Sequence, residues 1–365
     1  MSAPPAVIIT TRLPPRVCGI GAYSWLAHKH RPADSSSAGF LVVEGAAESR
    51  ALLGWEAIAD FNGDPRVLGQ ALDRAGPANV LLHYAGRAYQ RFGCPVWMPG
   101  VLGKWKAKFP KGRLTVFFHE IPGRVPRLSR HFLLGKINSR IIRRLAAMAD
   151  KLVTNTEHHA AMLRQLSGRD DLHCLCVGSN IEPLASSPGP RMKTEFIVFG
   201  LPFGRWQTLR LFDPQIRRWQ ARGRLTALHL IGPEDQKFTA QANELIGSWP
   251  MPSTAVRHGL LPGPEVSSLF ARAQFALTNV TGETWSKSGA FMACAATGCA
   301  AVIKAGETQT LPLSSAIRAD EVEKISDAEL ASRTVSLKAW YYQNADWDVT
   351  ARRLASLSEP REPAA

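Results

Sequence analysis

Ten short apolar runs, rich in β-formers and separated by stretches of helical periodicity, constrain this chain more than any other feature. They lie at 7–10, 40–43, 80–83, 114–118, 151–154, 172–177, 196–199, 225–231, 275–278 and 300–303. Runs apolar on both faces belong to strands covered on both sides, and a helix between successive strands makes them parallel. The reading is α/β, with doubly wound parallel sheets carrying helices on both faces. At 365 residues the chain is about two such domains long. Three prolines and a glycine within 182–193 mark a linker near its middle. The expected domains are therefore 1–182 and 193–338, each Rossmann-like, with a helix over 339–357 returning to the first. Ligands of such sheets bind outside the carboxyl ends of the strands, so the two domains are expected to face a cleft.

Composition narrows the classes. Hydrophobic residues are 45% of the chain, enough for two cores. The least polar stretch, 290–303, is too short to cross a bilayer and contains Gly298. The first residues read as a strand rather than an export signal, so a cytoplasmic protein is expected. Cys18, Cys94, Cys174, Cys176, Cys294 and Cys299 then read as reduced core thiols. No metal cluster is evident and no cofactor is called for; His158 and His159 are adjacent and face apart on a helix. Net charge is +14, and 102–151 holds thirteen Lys or Arg against Glu120 and Asp150. This window suits an anionic surface. Trp97, Trp105, Phe109, Phe132, Leu133 and Leu134 interleave with it as interfacial anchors would. Ile137, Ile141, Leu145 and Met148 form a core stripe beside them. Nucleic acid is not the expected partner, since the window holds no nucleic-acid motif.

Four places can carry chemistry. In 277–303 a strand ends in a turn, and Ser286, Lys287, Ser288 and Gly289 open a helix. A helix start with two hydroxyls and an ammonium is a phosphate cradle, or else a capped core helix. Near the N-terminus, Gly19-Ile20-Gly21 makes a turn before a helix expected over 22–28, with no third glycine at the spacing a dinucleotide fingerprint needs. His119 and Glu120 end the strand at 114–118, where either could orient a hydroxyl. Gly204-Arg205 with Arg210 sets two cations five residues apart, a spacing that can clamp a pyrophosphate, or two surface arginines on a basic protein. Asn155 and Thr156 read as helix caps.

With these motifs in this order, the chain resembles the GT-B glycosyltransferases, the retaining family-4-like group, over about 7–303. The resemblance implies two Rossmann-like domains and transfer of a hexosyl group from a nucleoside diphosphate sugar to an acceptor hydroxyl. It implies that Gly19, Ile20 and Gly21 correspond to the family's glycine loop and that His119 lies near the transferring sugar. Gly204, Arg205, Arg210, Ser286, Lys287, Ser288 and Gly289 would hold the donor diphosphate, and His258 with Gly259 would frame the base. In many relatives two glutamates touch sugar and ribose. Trp285 and Ala293 stand at those positions here, with Glu283 two residues from the first. The departure leaves as alternatives a catalytically degenerate nucleotide-binding scaffold, or a basic protein that binds membrane or nucleic acid through the 102–151 window. The acceptor is expected to be a saccharide or lipid-linked, reached at the inner face of a bacterial membrane.

Overall fold

The computed structural model describes residues 5–123, 132–185, 189–304 and 310–359. Arg124, Arg127 and Arg130 of the basic window and positions 186–188 of the expected linker lie outside these. The chain divides into two compact units: Met1–Cys176 with Trp347–Ala365, and Val177–Asp346.

Unit 1 begins with β1 (Ala6–Thr10), α1 (Gly19–Lys29), β2 (Ala38–Val42), α2 (Ala46–Leu53) and β3 (Ile58–Asp60). Next come α3 (Pro65–Ala75), β4 (Asn79–Tyr84), α4 (Gly86–Tyr89), α5 (Met98–Lys108) and β5 (Arg113–Phe118). The first stretch ends with α6 (Phe132–Met148), β6 (Lys151–Thr154), α7 (Glu157–Ser167) and β7 (Leu172–Cys174). The seven parallel strands run β3-β2-β1-β4-β5-β6-β7. Every residue of β1 and β4 is buried, as strands between two helical layers require. Ile8 sits opposite Phe40 on one side and Leu81 on the other, which fixes the central register.

Unit 2 holds β8 (Met192–Phe199), α8 (Pro202–Ala221), β9 (Ala227–Ile231), α9 (Gln236–Gly247), β10 (Ala255–Gly259) and α10 (Gly263–Arg272). It continues with β11 (Ala273–Leu277), α11 (Gly289–Thr297), β12 (Ala300–Ile303), β13 (Ile317–Arg318) and α12 (Asp327–Asn344). Its six strands run β10-β9-β8-β11-β12-β13, the same winding. Phe196 stacks between Trp219 and Phe275, at 5.2 and 5.0 Å, in the centre of this core. Each such ring stabilises the fold by about 2–3 kcal/mol through burial alone.

All ten expected strands form. The three not expected, β3, β10 and β13, all lie at sheet edges, where short and partly polar strands give a weak apolar signal. The helix expected over 339–357 is two helices instead. α12 stops at Asn344, where the Ala345 and Asp346 N–H groups both donate back to the Tyr341 carbonyl. A second helix, α13 (Trp347–Ser358), starts at once and belongs to unit 1, so the chain returns later than expected. Trp347 anchors it, packing edge-on to Tyr23 at 5.2 Å.

In each sheet the winding reverses between two neighbouring strands: β1 and β4 in unit 1, β8 and β11 in unit 2. Connections leave in opposite directions there, opening a crevice at the carboxyl ends of the strands.

Candidate functional site

In unit 2 that crevice is bordered by the starts of α8 and α11. The Asn279 side-chain amide, just beyond β11, donates to Gln207 Oε1 of α8 at 3.3 Å. On the α11 side, Trp285–Lys287 form one 3-10 turn before the helix. Ser288 caps α11, its Oγ accepting from the Phe291 N–H at 3.2 Å. Its own N–H donates to the Trp285 carbonyl, so it is not available to a ligand as the sequence suggested. Ser286 is buried, and its carbonyl accepts from the Val177 N–H. Lys287 and Glu283 are exposed. Lys287 and the N–H of Gly289 thus remain as the cradle's open donors. At the two positions where relatives carry glutamates, Trp285 packs on Trp340 and Phe291, and Ala293 is fully buried.

The expected clamp of Arg205 and Arg210 does not form. Both belong to α8, where five residues turn the side chain through about 140°. Arg205 therefore points inward and Arg210 outward, its guanidinium over the Trp206 ring at 5.7 Å. Gly204 lies inside the same helix; the glycine at the end of β8 is Gly200. Gly200 has a positive φ, as does Gly232 after β9, and a Cβ on Gly232 would sit 2.1 Å from the Gly200 carbonyl oxygen. Two bare peptides therefore meet at that rim. Arg205 donates to the Pro233 carbonyl and lies 3.5 Å from Glu234, while its Nε and Nη1 find no hydrogen-bond partner among the described residues. Burial lowers its pKa, with Arg257 acting the same way and Glu234 against it. It lines a small cavity with Trp206, Phe238 and Arg257.

His258 is tied into a chain of side chains across three strands. Its Nε2 is 2.9 Å from His229 Nδ1, and His229 Nε2 is 3.2 Å from Glu195 Oε2. Arg272 Nε donates to the same carboxylate oxygen at 2.8 Å. Burial lowers both histidines, and for His229 the Glu195 contact opposes it. Gly259 takes a positive φ, and its carbonyl accepts from the Gly232 N–H at 2.8 Å.

In unit 1, Gly19-Ile20-Gly21 is not a loop but the first turn of α1, starting earlier than expected. The Cys18 thiol caps it and accepts from the Gly21 N–H at 3.5 Å. A Cβ on Gly21 would lie 1.5 Å from the Arg12 carbonyl oxygen, so this glycine serves close packing. Gly19 has open space. His119 follows β5 and is buried; its N–H extends the ladder to the Tyr84 carbonyl. Glu120 beside it is exposed.

His119 has a partner that sequence reasoning missed. His83 Nδ1 lies 2.8 Å from His119 Nε2, both rings buried. His83 faces Phe117 across the ladder, and His119 follows Phe117 by two residues on the same face. Phe117 stacks on His119 at 4.2 Å, and Tyr23 packs edge-on to both imidazoles. Burial pushes His83 down to about 3 and His119 well below the usual range, the charges of His83 and His159 adding to it. A dry, neutral pair can donate or accept a hydrogen bond but does not take up a second proton to become charged. The signal was a histidine at the end of an apolar run, 80–83, beside another one strand over.

The basic window is partly internal. Trp105 is buried and donates to the Gly76 carbonyl, and Trp97 and Phe109 pack against the same core. These three are therefore not interfacial anchors: their apolar faces close the layer over β4 and β5. Lys106 pairs with Asp150 and Lys108 with Asp73. Leu133 does stand exposed, at 67%. Among the described residues, no helix is long and apolar enough to cross a membrane.

No protein-family model matches the chain, and no curated protein sequence matches it. Solved structures do. Sucrose-phosphate synthase from Thermosynechococcus elongatus is similar at TM-score 0.68 and 12% identity, over 97% of this chain and 98% of that one. Anabaena HepE, solved with UDP, is similar at 0.68 and 13%, over 98% and 99%. The N-terminal domain of trehalose-6-phosphate phosphatase from Candida albicans is similar at 0.66 and 14%, over 97% and 96%. At such identities the likeness is one of fold: two Rossmann-like parallel-sheet domains of the GT-B type.

Proposed function

We propose that the chain is a glycosyltransferase moving a hexosyl group from a nucleoside diphosphate sugar to an acceptor hydroxyl with retention. One observation carries the reading: the start of α11 stands at the crevice of unit 2 with Lys287 beside it and an open Gly289 N–H. That is where a doubly wound sheet receives a diphosphate. Solved structures of the same fold, one bound to UDP, support it.

In this reading Lys287 and Gly289 neutralise the leaving diphosphate, with Arg210 and Glu283 at the rim. The peptides of His258 and Gly259 frame the base. The sugar's C1–O bond to the diphosphate breaks as the acceptor oxygen bonds C1 on the same face. The departing phosphate oxygen takes the acceptor proton, so no side-chain nucleophile is needed. His119 orients the acceptor as a neutral hydrogen-bonding group, with Glu120 and the open Gly19 turn beside it. The acceptor is a saccharide or a lipid-linked one, met at the inner face of a membrane.

Calorimetry with UDP, GDP, ADP and dTDP tests the donor site. One of them binds, and Lys287→Ala weakens it about thirtyfold, the worth of one charge-assisted contact of ~2 kcal/mol. Uptake of none ends the reading. A second reading, a nucleotide-binding scaffold, is favoured by Trp285 and Ala293 in place of the two carboxylates. Binding without donor hydrolysis or transfer would select it.

A further inference from the structure

The loop after β4 and the start of α6 form one surface in unit 1. The Asn138 side-chain amide donates to the Gly93 carbonyl at 2.9 Å, and the Tyr84 hydroxyl donates to Asn138 Oδ1. A Cβ on Gly86 would lie 2.2 Å from the Gly93 carbonyl oxygen, so the loop folds tightly on itself beneath that amide. Three large apolar side chains stand out from this joined surface: Leu133, Phe92 at 64% exposure and Val96 at 57%.

The charge around them has one sign. Arg87, Arg91, Lys136, Arg140, Arg143 and Arg144 are all exposed, and neither 86–96 nor 132–148 contains an Asp or Glu. None of the six makes an ion pair among the described residues, whereas Lys106 and Lys108 on α5 are paired. Arg91 lies over the Phe92 ring at 5.6 Å and Lys136 over the Phe132 ring at 4.7 Å, so cation and apolar group are presented together. A water-facing surface gains nothing from unpaired cations clustered around bare phenyl and leucyl groups. An interface with an apolar interior and anionic headgroups is complementary to both.

We infer that residues 86–96 and the first turns of α6 dock onto a bilayer surface bearing anionic lipid, with Phe92, Val96 and Leu133 entering the headgroup layer. The inference rests on the reading that the acceptor is met at a membrane, and it replaces the broad 102–151 window by a defined patch. Both pieces emerge from the carboxyl ends of β4 and β5, the edge where His119 stands. A lipid-anchored hydroxyl would therefore arrive on the side that uses it.

Flotation of the full chain tests this, with vesicles of phosphatidylcholine alone or mixed with phosphatidylglycerol. Recovery is expected only with the mixed vesicles. Phe92→Ser with Leu133→Ser lowers it about tenfold or more. Arg91→Gln and Lys136→Gln each lower it about fivefold, the worth of one cation at such a surface. Arg74→Gln with Lys111→Gln, at the opposite end of the strands, is the control and changes it less than twofold. Circular dichroism checks that each variant is folded. No recovery of the wild type, or equal losses in patch and control variants, overturns the patch. Nucleoside diphosphate binding is measured on the same samples: its persistence separates failure of the patch from failure of the transferase reading.

Discussion

Two histidine pairs, one in each unit, repeat the same diagonal across neighbouring parallel strands and differ in what surrounds them. In unit 1, His83 of β4 faces Phe117 and meets His119 two residues beyond it. In unit 2, His229 of β9 faces Val256 and meets His258 two residues beyond that. The first pair lies among aromatic rings with no carboxylate partner among the described residues, and both members are pushed far down. The second leans on Glu195 and Arg272, and His258 is only half-buried. Backbone register sets the geometry of such a pair; its neighbours decide whether it can take a proton.

The largest effect should come from removing the ring that keeps the first pair dry. Tyr23 touches His83, Phe117, His119 and Trp347, at 5.8, 5.1, 5.3 and 5.2 Å. Tyr23→Ala leaves a cavity beneath α13 and should cost about 4 kcal/mol in urea unfolding. It should also let His119 titrate closer to neutral pH. A loss below about 1 kcal/mol would mean the rings are not what shields the pair.

The next effect concerns acid. His83 titrates near 3 in the folded chain, against about 6.5 unfolded. Its folded pKa is depressed, so its contribution is whole above pH 6.5. The contribution is lost as pH falls toward 3, because the unfolded chain takes a proton that the folded one refuses. Each such histidine removes about 1.4 kcal/mol per pH unit within that window. His83→Phe should be less stable at pH 7, since His119 loses its partner, yet its stability should fall less steeply between pH 6 and pH 4. Parallel curves for the two proteins would show that folded His83 takes up its second proton as readily as the unfolded chain does.

Sequence reading reached the architecture because the signal for it is local. Each central strand is an apolar run, as in Val80-Leu81-Leu82, whatever the rest of the chain does. It missed β10, because Ala255-Val256-Arg257-His258-Gly259 is an edge strand with polar residues. It misjudged Arg205 and Arg210, because a spacing of five says nothing until a helix is known to run through it. It placed Trp105 at an interface, because a tryptophan among lysines looks the same whether it faces lipid or core. His119 could be named from its strand end. His83 could not be joined to it, since their closeness depends on the register of β4 against β5.

The smallest effect sharpens the comparison from the other side. Glu195→Gln removes the carboxylate that holds His229 up but keeps the volume. Arg272 then remains 3.4 Å from His229 Nε2 with its charge unopposed, so two influences push the same way. His229 should titrate lower still in nitrogen-15 NMR, drawing the second pair toward the behaviour of the first. Folding stability should fall by about 1 kcal/mol or less, because Arg272 is half-exposed and water screens it. If His229 does not move, Glu195 only holds Arg272 in place, and the contrast between the pairs comes from burial alone.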